Sequence, residues 1–318
     1  MKNLVILLAV ILFFASCTGG KSGENEGVKK DEGRIYISGA FALYPLAVKW
    51  AEEFQKEFPG IKIDISAGGA GKGMTDVLAG MVDIAMVSRE VHEDEVKNGA
   101  WALTVARDAV FPVINVNNPL YSNLKVRGLK QEEFEQVYVK GINNWKLILG
   151  ADIQINVFTR SDACGAAEMW AAYCGHNQED LKGTGVFGDP GMAEAVKNDR
   201  LALGFNNLIY LYDIKTGKFN EGIASIPIDI DGNGRIDSTE NFYSDMNDLK
   251  IAIKEGKYPM PPSRNLYFVC KGKPADGPVK TFLNWVITNG IKYIDEAGYV
   301  SLPEDVINEQ INKLSLTE

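Results

Sequence analysis

The sequence predicts an α/β protein built as two lobes with a cleft between them, and three observations carry that reading. The chain has 318 residues, more than one ordinary core of about 100–200 residues holds. Strand-like and helix-like patterns alternate along it, the signature of parallel βαβ units. Hydrophobic residues make up 46% and charged residues 24%, which is enough apolar material for packed cores and enough charge for solubility.

The elements follow in order. Arg34-Ile35-Tyr36-Ile37-Ser38-Gly39 alternates as a strand does, and Leu43, Leu46, Ala47, Trp50, Phe54 and Phe58 then recur at helical spacing. Pro45 suits the first turn of that helix, and Pro59-Gly60 ends it. Ile61, Ile63 and Ile65 make the next strand, residues 68–73 a glycine loop, and Met74, Val77, Leu78 and Met81 a short amphipathic helix. Residues 82–87 read as a buried strand. Further strands are expected over 109–116, 153–159 and 201–205, and helices over 131–137 and 163–174, the latter ended by Gly175. A helical Met192-Ala195-Val196 stripe, a Leu266-Tyr267-Phe268-Val269 run and two closing helices complete the chain. The first lobe is then residues 34–117 with 258–318, the second 118–257, and two chain crossovers form the hinge. No repeat of the 20–50-residue kind is present.

Composition excludes several function classes. A formal charge of −9 argues against nucleic-acid backbones and anionic lipid surfaces, although a cleft can be locally positive on an acidic molecule. With only His92 and His176 in the chain, a Ser/His/Asp or Cys/His site has almost no candidate base. No Gly-x-Ser-x-Gly elbow occurs. Gly68-Gly69-Ala70-Gly71-Lys72-Gly73 lacks the Ser or Thr that a nucleotide-binding loop places after its lysine. A secreted hydrolase or nucleotide triphosphatase is therefore disfavoured.

What remains is a set of strand-to-helix junctions with small residues and arginines. A helix N-terminus offers unpaired N–H groups and the positive end of a dipole, and small residues let an anion approach closely. Four junctions qualify: one at Ala42 and Leu43, one at Ala70 and Gly71, one at Ser88 and Arg89, and one at Arg160, Cys164, Gly165 and Ala166. All are placed beyond the carboxyl ends of strands, where open α/β sheets bind ligands. Arg160 can add charge-assisted, two-pronged hydrogen bonds to an oxyanion.

These residues together resemble a family. From about Gly33 to the end the chain is similar to the phosphate-binding proteins of bacterial ABC importers, within the type II periplasmic solute-binding proteins. The resemblance rests on Ser38-Gly39-x4-Tyr44-Pro45-Leu46, the glycine loop, Val82-Asp83-Ile84-Ala85-Met86-Val87-Ser88-Arg89-Glu90 and Ile142-Asn143-Asn144-Trp145. It continues through Arg160 with Cys164-Gly165-Ala166, Leu203-Gly204-Phe205 and Arg264-x-Leu266-Tyr267-Phe268-Val269. It implies a two-lobed fold with an interlobe cleft that captures an oxyanion, above all phosphate, by lobe closure, acting as a monomer that delivers to an ABC permease and catalyses nothing. Departures are visible: Leu43, Ala70 and Cys164-Gly165-Ala166 stand where family members offer hydroxyls, and Arg89 stands where some offer an aspartate to a phosphate proton. They motivate an alternative, a scaffold or sensor that keeps the fold without anion affinity.

Two further segments carry expectations. Met1-Lys2-Asn3 and the apolar run 4–14 read as a signal peptide over residues 1–16, too short to span a bilayer. Phe14-Ala15-Ser16-Cys17 resembles the lipobox of bacterial lipoproteins, with Cys17 as the acylated residue; an ordinary secretory signal is the alternative. Residues 17–33 are nearly devoid of apolar side chains and read as a flexible tether. This places the protein on the extracytoplasmic face of a bacterial membrane through lipid. Three cysteines remain, Cys164, Cys174 and Cys270, an odd number without zinc spacing; Cys174 and Cys270 are best read as buried thiols. Finally, residues 229–240 match the twelve-residue calcium loop, with Asp229, Asp231, Asn233, Asp237 and Glu240 as ligands and Gly234 at its turn. The flanks look extended rather than helical, so this is an isolated calcium loop or a plain turn.

Overall fold

The computed structural model describes residues 32–316; the signal peptide, Cys17 and most of the tether lie outside the described residues. No helix among the described residues is long and apolar enough to cross a membrane.

The chain opens with β1 (Gly33–Gly39), α1 (Tyr44–Glu57), β2 (Ile61–Ala67), α2 (Ala70–Leu78) and β3 (Ile84–Val87). β1 lies between β2 and β3 and is parallel to both, so the alternation produces the expected βαβ units. In α1, Leu46, Ala47, Trp50 and Phe54 form the buried face. Pro45 occupies the first turn, where the N–H it lacks has no intrahelical acceptor. α2 begins inside the expected glycine loop. Gly69 turns the chain, and the small residues that follow let the helix lie against β1, where a Cβ on Gly73 would come within 2.7 Å of the Gly39 Cα. Close helix–strand packing, rather than an open loop, is what these glycines provide.

α3 (Glu93–Lys97) leads into β4 (Ala100–Asn115), a strand of 16 residues that spans about 50 Å at the usual rise per residue. The apolar pattern reveals only its second half, because Arg107 and Asp108 interrupt the run. Then come α4 (Tyr121–Arg127), α5 (Gln131–Tyr138), α6 (Lys146–Leu149), β5 (Asn156–Arg160), α7 (Gly165–Tyr173), β6 (Thr184–Val186) and α8 (Gly188–Asn198). β7 (Ala202–Asn207), α9 (Leu208–Leu211), β8 (Ile223–Ser225) and α10 (Met246–Lys254) follow, and β9 (Ser263–Lys271), α11 (Pro278–Thr288) and α12 (Glu304–Ser315) complete the chain.

Strand order is β2-β1-β3-β9-β4-β7-β5-β6, with β8 beside β4. The first part of β4 pairs antiparallel with β9, and its second part with β7 and β8. A strand this long cannot be buried in one core, and the hydrophobic residues divide accordingly. Leu103, Val105 and Ala106 belong to a core with Trp50, Phe54, Phe268, Phe282 and Trp285. Ala109, Val110, Phe111, Val113 and Ile114 belong to another with Phe134, Tyr138, Trp170 and Phe205. Tyr258 and Val300 also pack in this second core. Arg107 and Asp108 lie at the seam between the two. The three thiols Cys164, Cys174 and Cys270 are free and buried.

Candidate functional site

The four junctions lie at the carboxyl ends of β1, β2, β3 and β5, and the structure brings them together where the two cores meet. Ala42, Leu43, Ala70, Ser88, Arg89, Arg160, Cys164, Gly165 and Ala166 are all buried, and Gly71 is partly so. The Gly71 N–H donates to the Ala163 carbonyl at 3.1 Å. At the start of α7 the backbone of Gly165 presses on the Ser88 backbone so closely that a Cβ there would stand 2.1 Å from the Ser88 carbonyl oxygen; only glycine fits. Glu168 of α7 reaches back to Arg89 Nε and His92 Nε2, each at 3.0 Å. Tyr210 donates its hydroxyl to the Phe41 carbonyl at 3.2 Å, and the Phe41 and Phe187 rings meet edge to face, 5.6 Å apart.

Arg160 is the centre of this arrangement. Its side chain is fully buried. Nε and Nη2 donate to the two oxygens of Asp162 at 2.9 and 2.8 Å, and Nη1 donates to Asp189 Oδ1 at 2.7 Å. Burial works against its charge, but Asp189 and Asp162 more than restore it, so its pKa is raised. A guanidinium has five N–H groups; three are engaged here, which leaves one on each terminal nitrogen. Burial pushes the Asp189 carboxyl up from its usual range, and Arg160 opposes the shift. Asp162 also accepts from the Gly188 N–H at 3.2 Å, which ties the start of α8 to the same group.

Arg89 has a different part. Nη1 and Nη2 donate to Glu95 at 2.8 and 2.6 Å, Nη1 also to the Glu90 carbonyl at 2.8 Å, and Nε lies against Glu168. Four of its five N–H groups are thereby committed. Glu95 in turn caps α3 by accepting from the His92 N–H at 2.9 Å. Arg89 therefore fastens α3 and α7 to the junction instead of presenting a free fork. At the fourth junction the Cys164 N–H is taken by the Gln178 side chain at 3.2 Å, which leaves the Gly165 and Ala166 N–H groups, in the first turn of α7, without intrahelical acceptors. Burial pushes the Cys164 thiol up to about 12, so its sulfur is a neutral S–H group rather than a thiolate at neutral pH. Lys72 is paired with Asp76, which also accepts from the Ser38 hydroxyl at 2.7 Å.

Several participants are not evident from the junction pattern. Asp162 sits two residues from Arg160 and could have been noticed by that spacing; Asp189 is 29 residues away and could not. Nor could the group at the seam, where Arg264 on β9 faces Asp108 on β4 in register. Their side chains, each about 1% exposed, meet at 3.1 Å, and Arg264 Nη2 also donates to Asn207 Oδ1. Arg264 Nε and Nη1, Asn207 Nδ2 and Asp108 Oδ1 are buried without a protein partner. The Arg264 charge also reaches Asp189, so two buried guanidinium groups act on one carboxylate.

The acidic loop 229–240 lies away from these junctions, against the turn between α4 and α5. Asp229, Asp231 and Glu240 come together there, whereas Asn233 and Asp237 bond to neighbours in the loop.

A family model described as the PBP superfamily domain matches residues 24–289, most of the chain. The chain belongs to the PBP superfamily. Its fold is the two-lobed α/β fold of type II periplasmic binding proteins, in agreement with the motif resemblance. Among curated relatives of this superfamily member, the phosphate-binding protein PstS of Bacillus subtilis is 25% identical over 320 residues, covering 97% of this chain and 96% of the relative. The PstS of Methanocaldococcus jannaschii is 26% identical over 379 residues, covering 98% and 93%. Among solved structures, a putative phosphate ABC transporter substrate-binding protein from Clostridium perfringens, with bound phosphate, superposes with a TM-score of 0.69 at 20% identity, covering 85% of this chain and all of that one. An ABC-type phosphate transport receptor from Vibrio cholerae gives 0.63 at 23% identity with coverage of 85% and 100%.

Proposed function

We propose that this PBP superfamily member is the solute-binding component of an ABC importer and captures phosphate between its lobes, without catalysis. The observation that carries the reading is the Arg160 fork, buried where the four junctions converge, fixed by Asp162 and Asp189, with one N–H spare on each terminal nitrogen. Those two N–H groups with the backbone N–H groups of Gly165 and Ala166 make a donor set for a tetrahedral oxyanion. Two curated relatives that span nearly the whole chain carry the name phosphate-binding protein, which supports phosphate as the anion.

Local charge supports the same choice. One arginine beside two carboxylates is not a strongly positive site, so a fully ionised anion meets repulsion from Asp189. Hydrogen phosphate carries a hydroxyl proton that it can donate to such a carboxylate, and sulfate at neutral pH carries none. Asp189 would thus take over the proton-accepting part that some family members give to an aspartate at the position of Arg89. Closure would bring the lobes together about the seam on β4 and β9, and the interlobe contacts of Gly71, Gly165 and Glu168 would bias the closed state for recognition by a permease. On this reading the protein acts as a monomer.

Isothermal titration with phosphate, repeated with sulfate, tests the function. Saturable phosphate binding with sulfate at least tenfold weaker is expected, together with a rise in melting temperature that follows phosphate concentration over its dissociation constant. Absence of affinity for either anion would favour the scaffold or sensor reading, which the commitment of Arg89 to three acceptors and the missing hydroxyls support. The lipid anchor has its own test. Membrane fractionation of the producing cells should find the wild type with membranes and a Cys17→Ala variant released; unchanged membrane retention of the variant would remove Cys17 as the anchor.

A further inference from the structure

We propose that residues 229–240 form a structural calcium site in the second lobe, with Asp229, Asp231 and Glu240 as its side-chain ligands. Each of the three places one carboxylate oxygen within 4.8 Å of the others. Ligand oxygens around a single calcium ion, at 2.3–2.6 Å from it, are separated by at most about 5 Å, so one ion can touch all three. The unpartnered oxygens are what call for a cation. Asp229 and Glu240 are 2% and 3% exposed, and Asp229 Oδ1 and Glu240 Oε2 are buried with no hydrogen-bond partner.

Their other oxygens are already used by the backbone. Asp229 Oδ2 accepts from the Gly234 N–H at 2.9 Å, and Glu240 Oε1 accepts from the N–H groups of Ile230 and Asp231 at 2.6 and 3.1 Å. Backbone donors thus hold both carboxylates in place while one oxygen of each stays free. Two carboxylates buried this close together, each with an oxygen lacking a donor, are costly to keep unless a charge of opposite sign is present. Neighbouring cations bond to neither oxygen: Arg127, whose charge reaches Asp229, is bonded through both terminal nitrogens to Glu133, and Lys130 Nζ donates to the Gly232 carbonyl at 2.5 Å.

The donor chemistry selects the ion. All three ligands are hard oxygens without a nitrogen or sulfur donor, which suits calcium over zinc or copper, and a loop closed by a carboxylate at its twelfth position suits calcium over the smaller, stricter magnesium. Gly234 holds φ of +82° at the sixth position, the sharp turn such a loop needs. The flanks differ from a helix–loop–helix unit. Ile228 forms a β-bridge with Leu129, the Ile236 N–H donates to the Val126 carbonyl at 2.8 Å, and Tyr243 just beyond the loop accepts from the Ile228 N–H at 3.0 Å. The ion would therefore staple the loop to the α4–α5 turn and has no helix pair to open.

The test uses the full chain stripped with EGTA, in phosphate-free buffer. Titration with calcium chloride should show one saturable site and raise the melting temperature by several degrees, with magnesium chloride at the same concentration giving a clearly smaller rise. Asp231→Asn, at an exposed ligand that leaves the buried pair intact, should weaken calcium binding at least tenfold, and Glu240→Gln should abolish it. No heat and no melting shift at millimolar calcium, an equal response to magnesium, or a calcium response unchanged in both variants would each overturn the site.

Discussion

Replacing Arg160 with alanine should weaken phosphate binding about 30- to 5000-fold, equivalent to the ~2–5 kcal/mol lost on truncating one partner of a buried charge pair. The same side chain holds Asp162 through two hydrogen bonds and Asp189 through a third. Its removal deletes the donors offered to the anion and leaves the Asp162 and Asp189 carboxylates with no cation bonded to either, only the Arg264 charge still acting on Asp189. The variant should therefore also melt earlier than the wild type. Arg160→Lys separates the two effects. A lysine keeps the positive charge near Asp189 but cannot reproduce the planar fork, so it should retain most of the stability while losing at least tenfold in phosphate affinity. Isothermal titration read beside thermal melts decides the matter, and an Arg160→Ala protein that binds phosphate as the wild type does would remove Arg160 from the site. Lys72→Ala makes a useful comparison: its partner Asp76 has a second donor in Ser38, so binding should change little.

The second large effect is expected at the seam. Asp108→Ala should cost about 3–5 kcal/mol of folding stability, because it leaves the Arg264 guanidinium buried with its charge partner gone. Arg264 would then keep only the Asn207 amide oxygen, having two other nitrogens already without a protein partner. Burial pushes the Asp108 carboxyl up from its usual range and Arg264 pulls it back only in part, so the pair is held together against a substantial desolvation penalty. Replacing both partners by apolar residues of similar size, Asp108→Leu with Arg264→Met, should recover most of the loss. Urea unfolding of the three variants measures this. A loss below about 1 kcal/mol in the single variant would mean that the pair is not what closes the seam.

Much of the architecture is legible in the amino-acid sequence because it is local. The βαβ alternation, the buried stripe Leu46-Ala47-Trp50-Phe54 of α1 and the placement of β3, β7 and β9 follow from periodicity, which depends only on neighbours a few residues apart. Ordered motifs shared along the chain were sufficient to recognise the family. The four strand-to-helix junctions were likewise visible, since a strand end followed by small residues at a helix start is a local pattern. Where local reasoning failed, a distant contact was responsible. α2 starts at Ala70 because its small residues pack on β1, and β4 continues past Arg107 and Asp108 because β9 supplies Arg264 opposite them.

Side-chain commitments were decided by the tertiary structure alone. Arg89 and Arg160 look equivalent in sequence, each following a strand and preceding a helix. Glu95, Glu168 and the Glu90 carbonyl take four of the five N–H groups of one guanidinium, while Asp162 and Asp189 take three of the other. The acidic loop shows the same division. Its spacing named five candidate ligands; the carboxylates of three of them, Asp229, Asp231 and Glu240, come within 4.8 Å of one another, and the Ile230 and Asp231 N–H groups hold the Glu240 carboxylate in that position. Residue type and spacing determine which groups can meet an ion or an anion; which of them remain unspent depends also on distant partners such as Asp189, 29 residues from Arg160, and only the packed structure brings those together.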